Sequence, residues 1–214
     1  MASGERSPQS LLPPDALFFL HYNNNREAAL QVASACRAKG AEATLVQADL
    51  ANSEGDKALL SQLGVPIDIC IHNAGISESA LFTTISDQHL HELLNILLQN
   101  PLKITRALLP AMLQKRKGKI IVISSIWGLT GASCEVLYST AKGGLNSFVK
   151  ALAKEVALSS IQVNGIAPGA IATRMLDDYS ADEIKQLTEA IPAGRLGAPE
   201  EIAHATAFLC SKKS

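Results

Sequence analysis

Short apolar runs recur along the chain, and longer amphipathic stretches separate them. The run ALFFLHY, residues 16–22, reads as a buried strand. A helix is expected over residues 26–39, with Ala29, Val32, Ala33 and Cys36 on one face and Gly40 as its stop. ATLVQADL, residues 43–50, reads as the next strand, and a polar helix over residues 53–63 follows it. PIDICIHNAG, residues 66–75, reads as a strand running into a turn. Residues 86–116 read as largely helical with a bend at Pro101. GKIIVISS, residues 118–125, is a continuous apolar run and so a buried strand. A long helix over residues 138–158 precedes IQVNGIAPG, residues 161–169, which reads as strand and turn. Helices over residues 181–190 and 199–210 complete the pattern.

Apolar strands alternating with helices predict an α/β fold, with a parallel sheet covered on both faces. Residues 1–14 read as an irregular tail, and residues 15–214 as a single domain without repeats or linker. Sheets of this kind bind ligands at the carboxyl ends of their strands. The informative residues are therefore Asn23, Asp49, Asn73, Ser125 and Pro168, each just past a strand.

Composition narrows the function. Of 214 residues, 47% are hydrophobic and 18% charged, enough apolar material for a substantial core. The formal net charge of -1 and the 4% aromatic content argue against a nucleic-acid partner. Cys36, Cys70, Cys134 and Cys210 are far apart and form no CxxC pair, which favours reduced thiols in a cytoplasmic protein. His89 and His91 are two apart, a helical spacing that points them to different sides and disfavours a metal site. The run ALFFL is too short to span a bilayer, and the first residues lack the pattern of a signal peptide.

Chemistry enters with VLYSTAKGG, residues 136–144. Tyr138 and Lys142 are one helical turn apart and share a face. An ordinary phenol titrates near pH 10, and a fixed ammonium beside it favours the phenolate and lowers that value. Such a phenol can serve as a general acid. The plainer reading makes Tyr138 a packing residue and Lys142 a surface charge. Ser125 ends the apolar strand at the ligand edge, where a hydroxyl could bond a substrate oxygen together with the phenol; alone, it reads as a turn residue.

Taken together, Ser125, Tyr138 and Lys142 resemble the Ser–Tyr–Lys centre of the classical short-chain dehydrogenases/reductases. HNAG (residues 72–75), APGAIAT (167–173) and IPAGRLGAPEEIA (191–203) resemble three further motifs of that family, in order. The resemblance implies a Rossmann-like doubly wound parallel sheet and reduction of a ketone by hydride transfer. It gives Tyr138 the role of proton donor, Ser125 that of carbonyl ligand, and Lys142 that of holding the nicotinamide ribose and tuning the phenol. It places Asn73, Ala74 and Gly75 beside the cofactor, Asp49 and Leu50 at the adenine, and Pro168, Gly169, Ile171 and Thr173 along the nicotinamide. HYNNNRE has no acid before Glu27, whereas Asn23 and Arg26 could accommodate a 2′-phosphate, so NADPH is favoured over NADH. Asn23 to Asn25 also read as a turn and helix cap.

Two departures from the family pattern stand out. Leu97 occupies the position where the family commonly has an asparagine that supports a proton-relay water, and Asn100 lies one turn on. The first strand with its glycine-rich loop, and the last strand, have no counterpart in residues 1–214. Within the family, LHYNNNREAA and the segment around Tyr138 look most like the elongation factor P 5-aminopentanone reductases, and more broadly like the 3-oxoacyl-(acyl-carrier-protein) reductases. Glu135, beside Trp127 in the loop, could pair with a substrate ammonium or be a solvated helix-start acid. A non-catalytic binding or assembly subunit is an alternative of another class. The resemblance also implies a homodimer through the helices around residues 86–116 and 138–158, with the wider tetramer contact weakened.

Overall fold

The computed structural model describes residues 16–77, 79–173, 176 and 179–211, so the tail expected over residues 1–14 lies outside it. Every strand read from the apolar runs is present, and all pair in parallel. Strands β1 (Leu17–Tyr22) and β2 (Glu42–Gln47) form one sheet, in register from Leu17↔Glu42 to Tyr22↔Gln47. Strands β3 (Ile69–His72), β4 (Gly118–Ile123) and β5 (Ile161–Ile166) form a second, in the order β3-β4-β5. Among the described residues the two are separate sheets. A doubly wound sheet reverses its strand order beside a central first strand. The pieces β2-β1 and β3-β4-β5 match the two sides of such a sheet, with the central position unfilled among the described residues.

The helices are α1 (Arg26–Ala38), α2 (Gly55–Leu60), α3 (Asp87–Leu94), α4 (Asn100–Lys115), α5 (Trp127–Thr130), α6 (Val136–Val156), α7 (Ala181–Ala190) and α8 (Pro199–Cys210). Gly40 follows α1 at φ 85°, the left-handed conformation that its place as a stop requires. Val32 differs from expectation at 52% exposed, because α1 rests on only two strands and fully buries just Ala33. The irregularity expected at Pro101 falls earlier, in a π-helical turn, Asn95–Gln99, between α3 and α4. Pro101 itself sits in the first turn of α4, where a missing N–H costs little.

One face of the second sheet makes the main core. Ile120 and Val122 of β4 and Ile161 and Val163 of β5 pack against Met112 of α4 and Leu145, Leu152 and Val156 of α6. The opposite face of β4 and β5 meets α8. Two asparagines tie the first sheet to this core. Asn100, fully buried, donates to Leu50 O at 2.7 Å and Asn52 O at 3.0 Å, and accepts from Asp56 N at 3.2 Å. Asn95 donates to Ala51 O at 2.7 Å. Asn100 is thus fully engaged as a brace between α4 and the loop that follows β2. Among the described residues no helix is long and apolar enough to cross a membrane.

Candidate active site

Strand β4 delivers Ser125 to the carboxyl edge of the sheet, where it is buried. Helix α6 lies across that edge and presents Tyr138 and Lys142 from successive turns. The helix can lie so close because Gly128, just past Ser125, has no side chain at the crossing. A Cβ added to Gly128 of α5 would come within 2.7 Å of the Lys142 backbone and 2.9 Å of Gly143 N. Glycine at 143 faces it, with Gly128 O 3.4 Å from where a Cβ would stand. The two glycines after Lys142 therefore have packing roles: Gly143 against α5, and Gly144 against Leu98.

Lys142 donates from Nζ to Ile123 O at 2.8 Å, and its ammonium lies 5.5 Å from the centre of the Tyr138 ring. Burial lowers its pKa to about 8. The Tyr138 phenol is buried too, and burial raises its pKa above 10. Its hydrogen bond with Ser125 opposes the shift, and the Glu135 charge adds to it. The neighbouring ammonium was expected to lower the phenol; instead burial raises it. Trp127 closes one side of the phenol, edge to face at 6.1 Å and 84°.

Glu135 is 5% exposed rather than solvated, and accepts from Ser77 Oγ at 3.0 Å. Burial raises its pKa, and the Ser77 hydroxyl partly offsets this. Nothing in the sequence signalled Ser77, because the pair joins loops 58 positions apart. Trp127 and the Ile123 carbonyl were likewise not assigned to the centre.

The remaining candidates fall into two groups. Asn73, Ala74 and Gly75 are exposed after β3, and a Cβ on Gly75 would stand 3.9 Å from Lys142 Nζ and 3.4 Å from Leu97. Pro168 accepts from Ile126 N at 2.8 Å, holding the end of β5 beside that of β4. Ile171 forms an isolated parallel bridge with Gly197, so IPAGRLGAPEEIA supports the loop that contains Gly169, Ile171 and Thr173. Within this first group, Gly75 lies beside Lys142 and Pro168 beside the strand end that carries Ser125. The second group lies at the end of the other sheet. Asn23 donates to Asp49 Oδ1 at 3.4 Å, with Arg26 exposed nearby in sequence. Asn25 caps α1 by accepting from Ala28 N at 2.9 Å, so for this residue the cap reading holds. Leu50 is a core residue at 7% exposed, packed with Ala48 and Ile104. Leu97 is fully enclosed inside the π-helical turn and offers no polar atom towards Lys142. Among the described residues no cluster of His, Cys, Asp and Glu is placed to hold a metal.

A sequence profile described as enoyl-(acyl carrier protein) reductase matches residues 9–214. An oxidoreductase of Bacillus subtilis, YmfI, is 45% identical over 91% of this chain and 81% of its own length. A 3-oxoacyl-[acyl-carrier-protein] reductase of Aquifex aeolicus is 41% identical over 81% of this chain and 77% of its own. Among solved structures, a gluconate 5-dehydrogenase from Burkholderia cenocepacia in complex with NADP and tartrate has a TM-score of 0.80 at 28% identity, covering 90% of this chain and 77% of that one. A Beutenbergia cavernae protein described as a gluconate 5-dehydrogenase, with bound NADP, reaches 0.86 at 26% identity over 97% of this chain and 93% of that one.

Proposed function

The chain belongs to the short-chain dehydrogenase/reductase family, a family of oxidoreductases, and from that premise we propose that it reduces a ketone to a secondary alcohol with NADPH. The observation that carries this reading is a buried phenol at the strand end that holds the buried Ser125, with a buried ammonium 5.5 Å from its ring.

The exposed backbone of Asn73–Gly75 beside Lys142, with Pro168–Thr173 opposite, fits the ribose and nicotinamide end of the cofactor. NADPH, when bound, supplies the hydride to the carbonyl carbon. The chain's own residues handle the oxygen. Ser125 Oγ and Tyr138 Oη are proposed to bind one substrate oxygen between them. A phenol whose pKa lies above 10 is protonated at neutral pH, so it is set to donate its proton as negative charge grows on that oxygen. Lys142, with a pKa near 8, is mostly charged at neutral pH and stabilises the phenolate left behind. Tyr138, Ser125 and Lys142 are thus proposed as the catalytic residues. The NADP in two solved relatives supports the cofactor reading, as do Asn23 and Arg26 where an acid would favour NADH. The test is NADPH consumption with a small ketone panel; absence of turnover with saturable NADPH binding would move the chain to the non-catalytic reading.

Two substrate readings follow, each with its own support. The buried Glu135 carboxylate, one oxygen held by Ser77, supports a ketone that carries an ammonium, such as the 5-aminopentanone group on elongation factor P. The relatives described as 3-oxoacyl-[acyl-carrier-protein] reductases support an acyl-carrier-bound ketone. Glu135→Gln separates them: KM should rise for an amino-ketone and stay unchanged for a neutral one. A homodimer through α4 and α6 accords with the half-exposed apolar side chains Leu108, Leu109, Phe148 and Val149 on these helices. Light scattering at micromolar concentration checks it. The reading places the enzyme in the cytoplasm.

A further inference from the structure

Asn23 and Arg26, which support the NADPH reading, flank the exposed turn between β1 and α1. An exposed turn is not held still by packing. What holds this one comes from the neighbouring strand. Backbone pairing between β1 and β2 runs as far as the bond from Ala48 N to Tyr22 O, at 3.2 Å. Beyond it the Gln47 side chain takes over. Its Nε2 donates to Asn23 O at 3.1 Å, and its Oε1 accepts from Tyr22 Oη at 3.4 Å. The next two carbonyls are engaged locally: Asn24 O accepts from Arg26 N at 3.0 Å, and Asn25 O from Ala29 N at 3.2 Å.

Gln47 is itself anchored. Glu42 and Ala48 direct their N–H groups to β1, so by alternation the backbone of Gln47 faces the other edge of β2. There a second glutamine meets it. Gln62, just past α2, accepts from Gln47 N at 3.2 Å and donates to Gln47 O at 2.8 Å and to Ala58 O at 2.7 Å. One exposed hydrogen bond competes closely with water. A residue held at its backbone N, its backbone O and both amide atoms keeps far less freedom.

The far side of Asn23 bears on which cofactor fits. An acid at this end of the strands favours NADH, because it accepts from the ribose hydroxyl. Asp49 is an acid at that end. Its Oδ1 is already occupied, accepting from Asn23 Nδ2 at 3.4 Å and from Ala51 N at 2.9 Å.

We propose that Gln47 is a positioning residue for cofactor choice: through the Asn23 carbonyl it holds the turn in the arrangement that offers Asn23 and Arg26 to a 2′-phosphate and keeps Asp49 Oδ1 engaged. Gln62 serves the same end one step removed, by fixing Gln47. Both act through Asn23 rather than on the cofactor, and the proposal rests on the NADPH reading above.

The test is binding rather than turnover. Dissociation constants for NADPH, NADH, adenosine 2′,5′-bisphosphate and AMP are measured by calorimetry on the full chain, with a melt of each variant. Gln47→Met keeps the length of the side chain and removes both amide atoms. It should weaken NADPH and the bisphosphate at least about fivefold, leave NADH and AMP within about twofold, and leave the melt unchanged. Gln62→Met should shift the preference the same way by less. Asn23→Ala should also lower it, and the double variant with Gln47→Met should fall short of the product of the two single effects. Multiplicative effects overturn the proposal, because Gln47 then does not act through Asn23. Equal weakening of NADPH and NADH marks a merely structural role and overturns it as well. A wild-type chain without preference for NADPH overturns the cofactor reading and the proposal together; a wild-type preference that survives Gln47→Met overturns the proposal alone.

Discussion

Ile71 on β3 and Ile121 on β4 stand side by side in register on one face of the sheet, yet one is 45% exposed and the other fully buried. Their sequence contexts are alike, each an isoleucine inside an apolar strand. What differs is what lies around them. Among the described residues, strand β4 has a partner on both sides and a helix on each face, whereas β3 has one partner and a half-exposed face. The same contrast separates the two regions of the molecule. The half built on β3-β4-β5 has a closed core, and it holds Ser125, Tyr138 and Lys142 at fixed separations. The half built on β1-β2 has the same alternation of strand and helix but stays thinly packed, with Leu17, Leu30 and Val32 exposed. Apolar sequence makes a strand; burial needs neighbours.

Five substitutions would break or sharpen this contrast. The largest effect is expected at Tyr138 in the closed half. Tyr138→Phe should lower ketone reduction at least about a hundredfold while NADPH binding and the melt stay as they were; unaltered turnover would remove the tyrosine from the mechanism. Next come the register partners. Ile121→Ala should cost about 3 kcal/mol, as for a well-packed core isoleucine, and Ile71→Ala less than about 1 kcal/mol. Equal costs in urea melts would mean that the face of β3 is covered in solution. Asn100→Ala should cost about 2 kcal/mol by orphaning backbone groups of the 50–56 loop. Hydrogen exchange should show the loss chiefly in β1 and β2; uniform loss across both halves would argue against two separable regions. The smallest effect at neutral pH concerns His72 on β3, 2.8 Å from Thr105 Oγ1 and lowered by burial from 6.5 to about 4. Between these values the unfolded chain binds the extra proton, so stability falls as pH drops from 6.5 towards 4 and is unaffected above. His72→Gln should flatten that acid limb in melts run across the window, and an unchanged limb would assign it to another group.

Much of the closed half was legible from residues alone. GKIIVI has only one way to be satisfied, a buried parallel strand, and the helices at 181–190 and 199–210 begin and end where their caps and punctuation place them. The spacing of Tyr138 and Lys142 was legible because one helical turn is a local fact. What escaped was set through space. The phenol's titration follows its burial rather than its charged neighbour, and burial depends on Trp127 and the loop that carries Glu135. Ser77 meets Glu135 across 58 positions, a pairing no local pattern encodes. Pro101 drew the expected bend to itself, whereas the π-helical turn arises just before it, where Asn95 and Leu97 are packed into the interior. The split sheet was foreseeable only through family likeness, since each strand taken alone looks complete.

The crossing of Gly128 over Gly143 bears on how finely the centre is set. Gly128 is three residues past Ser125 and bonds back to its carbonyl at 3.0 Å, while Gly143 adjoins Lys142 in α6. At Gly128 the loop past the serine's strand meets the main chain of the tyrosine's helix at Lys142 and Gly143, with the Asn146 amide alongside. Side chains elsewhere can repack, swap rotamers or change by substitution, and this contact does not widen with them. A side chain at 128 would have to push the helix, and with it Tyr138 and Lys142, away from the strand end that carries Ser125.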